Sequence, residues 1–424
     1  MLLKVSKSNI KTGSIVKIPG SKSHTIRALF IASLAQGQSE IVQPLFSDDA
    51  LSAVEVCKAL GAEIYENGEN FKVYGFEDNP SIPDDIVDVG NSGTTLRFGV
   101  TAAALAKGYT ILTGDRQIRN RPMEPLIRAC NDLGAKIFST RNNGMAPIVV
   151  KGRMVGGITE IDAYTSQFLS SLLITCPLLE KDTEIVVTQL NEKPYVEMTL
   201  WWLDKQGISY YNDDFKSIYV RGNQKYKPLK TVIPGDFSSA TFFMVLAAIS
   251  GKSITLENLD MTDPQGDKLV LSFLENMGAK VTYQKSNVTI KGDKLHGIKI
   301  DMNFTPDALP AMAVAGCFAD GETRLLNVPQ ARLKETDRIS VMCHELRKMG
   351  ADISELSDGL IIKKSKLTGC EVNGHYDHRV AMALAIAGLS IEGTTVIDTA
   401  ESIGVTFPEF IRLIKHCGGN ADTY

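Results

Sequence analysis

Two segments set cationic side chains beside hydroxyls at an expected helix start, a combination suited to gripping small anions. The first, GSKSHTIRAL at residues 20–29, follows a Pro-Gly break and holds Ser21, Lys22, Ser23 and Arg27 close together. A helix N-terminus offers N–H groups without intrahelical partners and a partial positive charge, so phosphate or carboxylate is favoured there. Ser23 and Arg27, four apart, share one helix face. The second segment, RLKETDRIS at 332–340, holds Lys334 and Arg338. Such a like-charge i, i+4 pair is unfavourable on a helix unless an anion lies between its members. Glu335 beside them is an acid for chemistry or a plain ion-pair partner of Arg338.

Five further segments carry similar chemistry. VGNSGTTLRFG (89–99) leads through Asn91, Gly93 and Thr94 into a helix bearing Arg97. Small residues there let a ligand approach the backbone. DRQIRNRPMEPL (115–126) crowds Arg116, Arg119 and Arg121 ahead of a proline, which reads as a bidentate anion clamp. AYTSQFLSSLL (163–173) offers the neutral donors Thr165, Ser166 and Gln167. TPDALPA puts Asp307, and YDHRVAMA puts His378 and Arg379, at helix starts. Each segment taken alone is equally read as a helix cap or a solvated loop.

Bulk composition narrows the partners. The chain has 424 residues, 45 Lys and Arg against 49 Asp and Glu, and a formal net charge of −4. Nothing in that balance draws nucleic acid, so anion binding must come from a focused cationic cluster working against the global charge. Seven cysteines form no CxxC pair and no metal-ligand spacing, and read as reduced, buried thiols. The opening residues lack the apolar stretch of a signal peptide, and no run approaches a membrane span. A cytoplasmic protein with no membrane or nucleic-acid partner is expected.

The elements that must position these residues recur. ALGAEIYENGENFKVYG, DLGAKIFSTRNNGMAPIVVKG, KQGISYYNDDFKSIYVRG, NMGAKVTYQKSNVTIKG and KMGADISELSDGLIIKK share one grammar: helix, glycine, strand, polar turn, strand. Their glycines, Gly61, Gly134, Gly207, Gly278 and Gly350, lie 71 to 73 residues apart, and KHCGGNADTY begins a sixth copy. Glycine suits the left-handed position that ends a helix. Helix starts at Ser21, Ser92, Thr165, Ser238, Asp307 and Asp377 recur at a similar interval. The unit is therefore strand, helix, strand, helix and two strands, used six times in an α/β (α+β) chain. A scaffold of stacked repeats is disfavoured because solenoid periods are shorter, about 20 to 50 residues. The segment 221–236, rich in Pro, Gly and Lys, reads as a crossover. The expected domains are 20–234, with repeats one to three, and 1–19 plus 235–424, with repeats four to six, joined by two crossovers. If the repeats are symmetric, their charged helix starts converge on one cleft that closes on substrate.

Nine strings in order, PGSKSHTIRAL, GNSGTTLR, RNRPMEPL, TSQF, KPYVEMT, TPDA, RLKETDR, DHRVAMA and TFPEF, resemble the 5-enolpyruvylshikimate-3-phosphate synthase family of enolpyruvyl transferases. The resemblance implies two domains, each of three βαβαββ units in pseudo-threefold arrangement. It implies transfer of the enolpyruvyl group of phosphoenolpyruvate to the 5-hydroxyl of shikimate 3-phosphate, in the shikimate pathway toward chorismate and aromatic amino acids, by a monomer without metal or organic cofactor. By motif, Lys22, Ser23, Arg27, Thr165, Ser166, Gln167, Tyr195, Asp307 and Lys334 would hold shikimate 3-phosphate. Lys22, Asn91, Gly93, Arg97, Arg121, Gln167, Arg338, His378 and Arg379 would hold phosphoenolpyruvate. Asp307 is the expected base for the hydroxyl, and Glu335 with Lys22 would handle the methylene proton.

Three positions depart from the family pattern and bear on affinity and on sensitivity to the family inhibitor glyphosate. Glu192 stands where many members have Ser, Gln330 where Asn is frequent, and Val405 where well-known members have Lys. The sister family that acts on UDP-N-acetylglucosamine usually carries a Cys ahead of its Arg-Pro motif, and TGDRQIRNRP has none.

Overall fold

The computed structural model describes all 424 residues and builds the repeat into twelve α-helices and six four-stranded sheets. The repeat glycines Gly61, Gly134, Gly207, Gly278 and Gly350 all have positive φ, between 69° and 111°. Each ends a helix and turns the chain into a hairpin, because only a residue without Cβ takes that conformation at little cost.

The second repeat shows the pattern. Val87–Asp88 runs parallel to Tyr109–Thr113 across the helix Gly93–Ala103. After the helix Glu124–Asp132, the strands Lys136–Ser139 and Ile148–Lys151 form an antiparallel hairpin, and its second strand inserts beside Tyr109–Thr113. The other sheets repeat this order.

The chain divides into two units, Lys22–Ile233 and Met1–Ser21 with Pro234–Tyr424. In the unit Lys22–Ile233, the strand Lys230–Val232 runs parallel to Gln38–Val42 and supplies the first strand of the first repeat. The segment read as a crossover therefore contains a strand. Three residues at a sheet edge, among Lys and Pro, carry too little alternation to be seen in sequence.

In the other unit, the N-terminal segment joins two sheets. Leu3–Ser6 pairs antiparallel with both Thr394–Asp398 and Asn420–Thr423, taking the place that the second hairpin strand holds in the other sheets. Ser14–Lys17 runs parallel to Ser253–Glu257 and opens the fourth repeat.

Each unit has its own hydrophobic core. The helices Lys22–Ser33, Gly93–Ala103 and Ser166–Thr175 are buried along nearly their whole length, as are Phe237–Ser250, Leu309–Phe318 and His378–Gly388. A helix apolar on every side belongs inside. These six inner helices follow the charged helix starts, so burying them brings the starts together within each unit.

Candidate active site

In the unit Lys22–Ile233, Lys22 opens the first inner helix and its Nζ lies 3.0 Å from Asp49 Oδ2. Asp49 is buried in the first turn of the helix Asp48–Ala59, a favourable place for a carboxylate. Sequence reasoning missed this partner. Arg27 is 2% exposed, so a solvated role is ruled out. It donates to Thr199 Oγ1 at 2.9 Å, Ser23 O at 3.0 Å, Tyr195 O at 2.9 Å and Ser170 Oγ at 3.4 Å. Burial lowers its pKa to about 10, against an opposing interaction with Tyr195, and the guanidinium stays charged at neutral pH. Most of its donors are spent on protein, which makes Arg27 a brace between the first and third inner helices.

Gly93 begins the second inner helix, capped by Ser92, whose hydroxyl accepts from the Thr95 N–H. A Cβ on Gly93 would stand 2.4 Å from an Arg121 terminal nitrogen and 2.6 Å from one of Arg97. The missing side chain is the space both guanidiniums use. Arg97 donates to Gly93 O at 3.0 Å and Pro122 O at 3.4 Å and lies over the Phe168 ring. Asn91 donates to Asp115 Oδ2 at 2.6 Å, which fixes the turn before the helix. The three-arginine clamp reduces to one member: Arg121 is buried, whereas Arg116 and Arg119 are exposed. Arg119 lies on the short helical turn Ile118–Asn120 and Arg121 caps its end, a difference that spacing alone does not reveal.

The third inner helix, Ser166–Thr175, starts with Thr165 as N-cap residue and Gln167 half-buried in its first turn. Its donors are already engaged. Glu192 Oε2 accepts from Ser166 Oγ at 2.8 Å, from the Ser166 N–H at 3.2 Å and from Thr165 Oγ1 at 3.5 Å. Tyr195, three residues on, lies in the first turn of Lys193–Gln206.

In the unit of Met1–Ser21 and Pro234–Tyr424, acids and bases interlock. Arg338 is 1% exposed and donates from Nε to Asp377 at 2.8 Å, and from its terminal nitrogens to Asp307 at 2.7 Å, Glu335 at 2.5 Å and Asp377 at 3.2 Å. Burial opposes its charge, yet Asp377, Glu335 and Asp307 together hold its pKa above the ordinary arginine value. Asp307 also lies 3.1 Å from Arg379 and 4.0 Å from Lys334 Nζ. Arg379 donates to Ser238 Oγ at 2.7 Å. Ser238 is the second residue of the helix Phe237–Ser250, within its first turn, and it serves as an acceptor. Asp377 caps the helix His378–Gly388, accepting from the Arg379 and Val380 N–H groups, and buried His378 is its first residue.

Lys334 and Arg338 do not share a helix. Lys334 follows the short turn Pro329–Leu333 in extended conformation, and the helix begins only at Arg338 behind its cap Asp337. Asp337 captures the Ser340 N–H, and that local bond sets the helix start later than the charge spacing suggests. Among the departures from the family pattern, buried Gln330 donates to Asn303 O at 3.2 Å, and half-buried Val405 ends the turn Ala400–Val405.

The approach to Asp377 is held by a residue the sequence did not reveal. His375 and Tyr376 have φ of 53° and 55°, conformations a non-glycine residue keeps only where its surroundings hold it. Glu345, buried on the Arg338 helix, accepts from His375 Nε2 and Lys348 Nζ at 2.9 Å and from the Asn373 N–H at 3.0 Å. Burial raises the Glu345 carboxyl, but these hydrogen bonds outweigh it and hold it below the ordinary glutamate value of 4.5. Its stabilising contribution is therefore present above pH 4.5 and is lost as pH falls through the lower native value. Glu345→Gln is expected to cost about 1–3 kcal/mol in urea melts at neutral pH. The difference from wild type should shrink in acid, and a constant difference down to acid unfolding would contradict the assignment.

No cluster of three or more His, Cys, Asp or Glu side chains has metal-binding geometry, and no helix is long and apolar enough to cross a membrane. A surface groove of about 460 Å³ lined by Tyr210, Tyr211 and Tyr219 contains none of the site residues.

The sequence matches the family model for EPSP synthase (3-phosphoshikimate 1-carboxyvinyltransferase) over residues 7–414. It is 65% identical to a 3-phosphoshikimate 1-carboxyvinyltransferase of Acetivibrio thermocellus and 44% identical to one of Methanocella arvoryzae, with 100% of each chain covered in both cases. The fold is similar to that of an EPSP synthase from Acinetobacter baumannii, with a TM-score of 0.83, 27% identity and 100% of both chains covered. Six βαβαββ repeats, charged helix starts and full-length similarity agree, and the chain belongs to the EPSP synthase family.

Proposed function

We propose that the clusters around Lys22, Gly93 and Ser166 in one unit and around Asp307 and Arg338 in the other act in a single enolpyruvyl transfer. The chain is a transferase of the shikimate pathway. The 5-hydroxyl oxygen of shikimate 3-phosphate bonds to C2 of phosphoenolpyruvate while C3 gains a proton, giving a tetrahedral intermediate. The C2–O bond to phosphate then breaks, C3 loses a proton, and 5-enolpyruvylshikimate 3-phosphate and inorganic phosphate leave.

The observation that supports the residue assignment is the pairing of acid and cation at the helix starts within each unit. Asp307 lies among Arg338, Arg379 and Lys334 and is the carboxylate placed to take the hydroxyl proton. Glu335, bonded to Arg338, and Lys22, bonded to Asp49, serve the methylene proton. Arg97 and Arg121 beside Gly93, with Arg338, His378, Arg379, Asn91 and Gln167, hold phosphoenolpyruvate and stabilise the charge that develops at its carboxylate and phosphate. Lys22, Ser23, Arg27, Thr165, Ser166, Gln167, Tyr195, Asp307 and Lys334 hold shikimate 3-phosphate. The enzyme works as a cytoplasmic monomer.

Inorganic phosphate release with phosphoenolpyruvate and shikimate 3-phosphate tests the reading, with UDP-N-acetylglucosamine as control acceptor. Release with the first acceptor alone is expected; release only with the control would overturn it.

A further inference from the structure

We propose that Glu192 is a specificity-determining residue whose carboxylate occupies the anion seat of the third inner helix and must leave it when the 3-phosphate of the acceptor docks. This rests on the reading that Thr165 and Ser166 receive that phosphate.

Three features carry the inference. Glu192 is 1% exposed, and its Oε2 accepts from the Ser166 N–H, the Ser166 hydroxyl and the Thr165 hydroxyl together. These are donors of a helix N-terminus, which a phosphate group would otherwise take. The backbone aims the side chain there: Glu192 has φ of 58° and ψ of 38°, a left-handed conformation that a glutamate keeps only under constraint. The constraint is visible on both sides. The Asn191 N–H donates to Ala163 O at 3.0 Å, the Asn191 side chain donates to Tyr164 O at 3.2 Å, and the Tyr195 N–H donates to Glu192 O at 3.0 Å.

Two anions cannot share these donors without strong repulsion at contact distance. With the backbone tethered, the carboxylate leaves by side-chain rotation. The residue thus stands in for phosphate while the acceptor is absent, keeps the seat formed, and taxes the phosphorylated acceptor but not an acceptor lacking the phosphate.

The test uses Glu192→Gln, which retains an acceptor oxygen without the charge, and Glu192→Ser, which clears the seat. In both, the KM for shikimate 3-phosphate is expected to fall about ten-fold as the like charge is removed, while the KM for phosphoenolpyruvate stays within about two-fold. The ratio of the shikimate Kd to the shikimate 3-phosphate Kd should rise about ten-fold, since shikimate itself meets no repulsion. Variants that melt like wild type but show an unchanged or raised KM for the phosphorylated acceptor would overturn the proposal. Failure of the underlying reading is distinguishable, because adding Ser166→Ala to Glu192→Ser would then leave the KM for shikimate 3-phosphate as it is in Glu192→Ser alone.

Discussion

Asp307→Asn is expected to lower kcat by about 10²–10⁴-fold, the range for loss of a positioned general base. The substitution keeps volume and nearly keeps shape. It leaves Arg338 with Asp377 and Glu335, and Arg379 with Ser238, so the cationic wall survives. What disappears is an acceptor able to take a proton from the attacking hydroxyl. Steady-state phosphate release should show the loss in kcat, with the KM for phosphoenolpyruvate changed far less. The pairing of a rate loss with a nearly intact melting curve separates chemistry from folding. Turnover near wild type would remove Asp307 from proton transfer and leave it as an electrostatic partner of Arg338 and Arg379.

Gly93→Ala should raise the KM for phosphoenolpyruvate by about ten- to a hundred-fold, because misplacing a binding group by about 1 Å carries a cost of that order. The added Cβ meets the ends of two flexible side chains, not backbone, so Arg97 and Arg121 can yield and the fold should tolerate the change. Alanine also suits the start of a helix interior better than glycine. The damage is functional: Arg97 is tied to Gly93 O and Pro122 O, and the new methyl displaces both guanidiniums from their shared place beside the helix N-terminus. Substrate titrations should show the effect on phosphoenolpyruvate and little on shikimate 3-phosphate. An unchanged KM for phosphoenolpyruvate, with a native melting curve, would show that neither arginine needs this space to bind it.

Much of the fold was legible because its signals are local. A glycine at a helix end, a hydroxyl or aspartate at a helix start and alternation along a hairpin each depend on a few neighbouring residues, and their recurrence exposed the six-fold repeat. The short strand Lys230–Val232 was not legible, since its pairing with Gln38–Val42 depends on a partner nearly two hundred residues away. The helix start at Arg338 was misread because charge spacing suggested a helix that Asp337 begins only later.

The candidate site divides in the same way. Its anion-binding residue types were visible in short strings, and their placement at recurring helix starts followed from the repeat. Their partners were not visible. Asp49 for Lys22, Thr199 and Ser170 for Arg27, Asp377 for Arg338 and Ser238 for Arg379 are all distant in sequence. The exposure of Arg116 and Arg119 beside buried Arg121, and the seating of Glu192 on Ser166, likewise depend on the folded loops.

The sequence by itself determined the repeating secondary structure, the family and the kinds of side chain available to bind anions. Tertiary structure decided which of those side chains are held by carboxylates, which brace helices and which lie against Gly93. The reason is physical: backbone preference acts across a turn or two, whereas a buried charge is stable only beside a partner, and folding chooses that partner from anywhere along the chain.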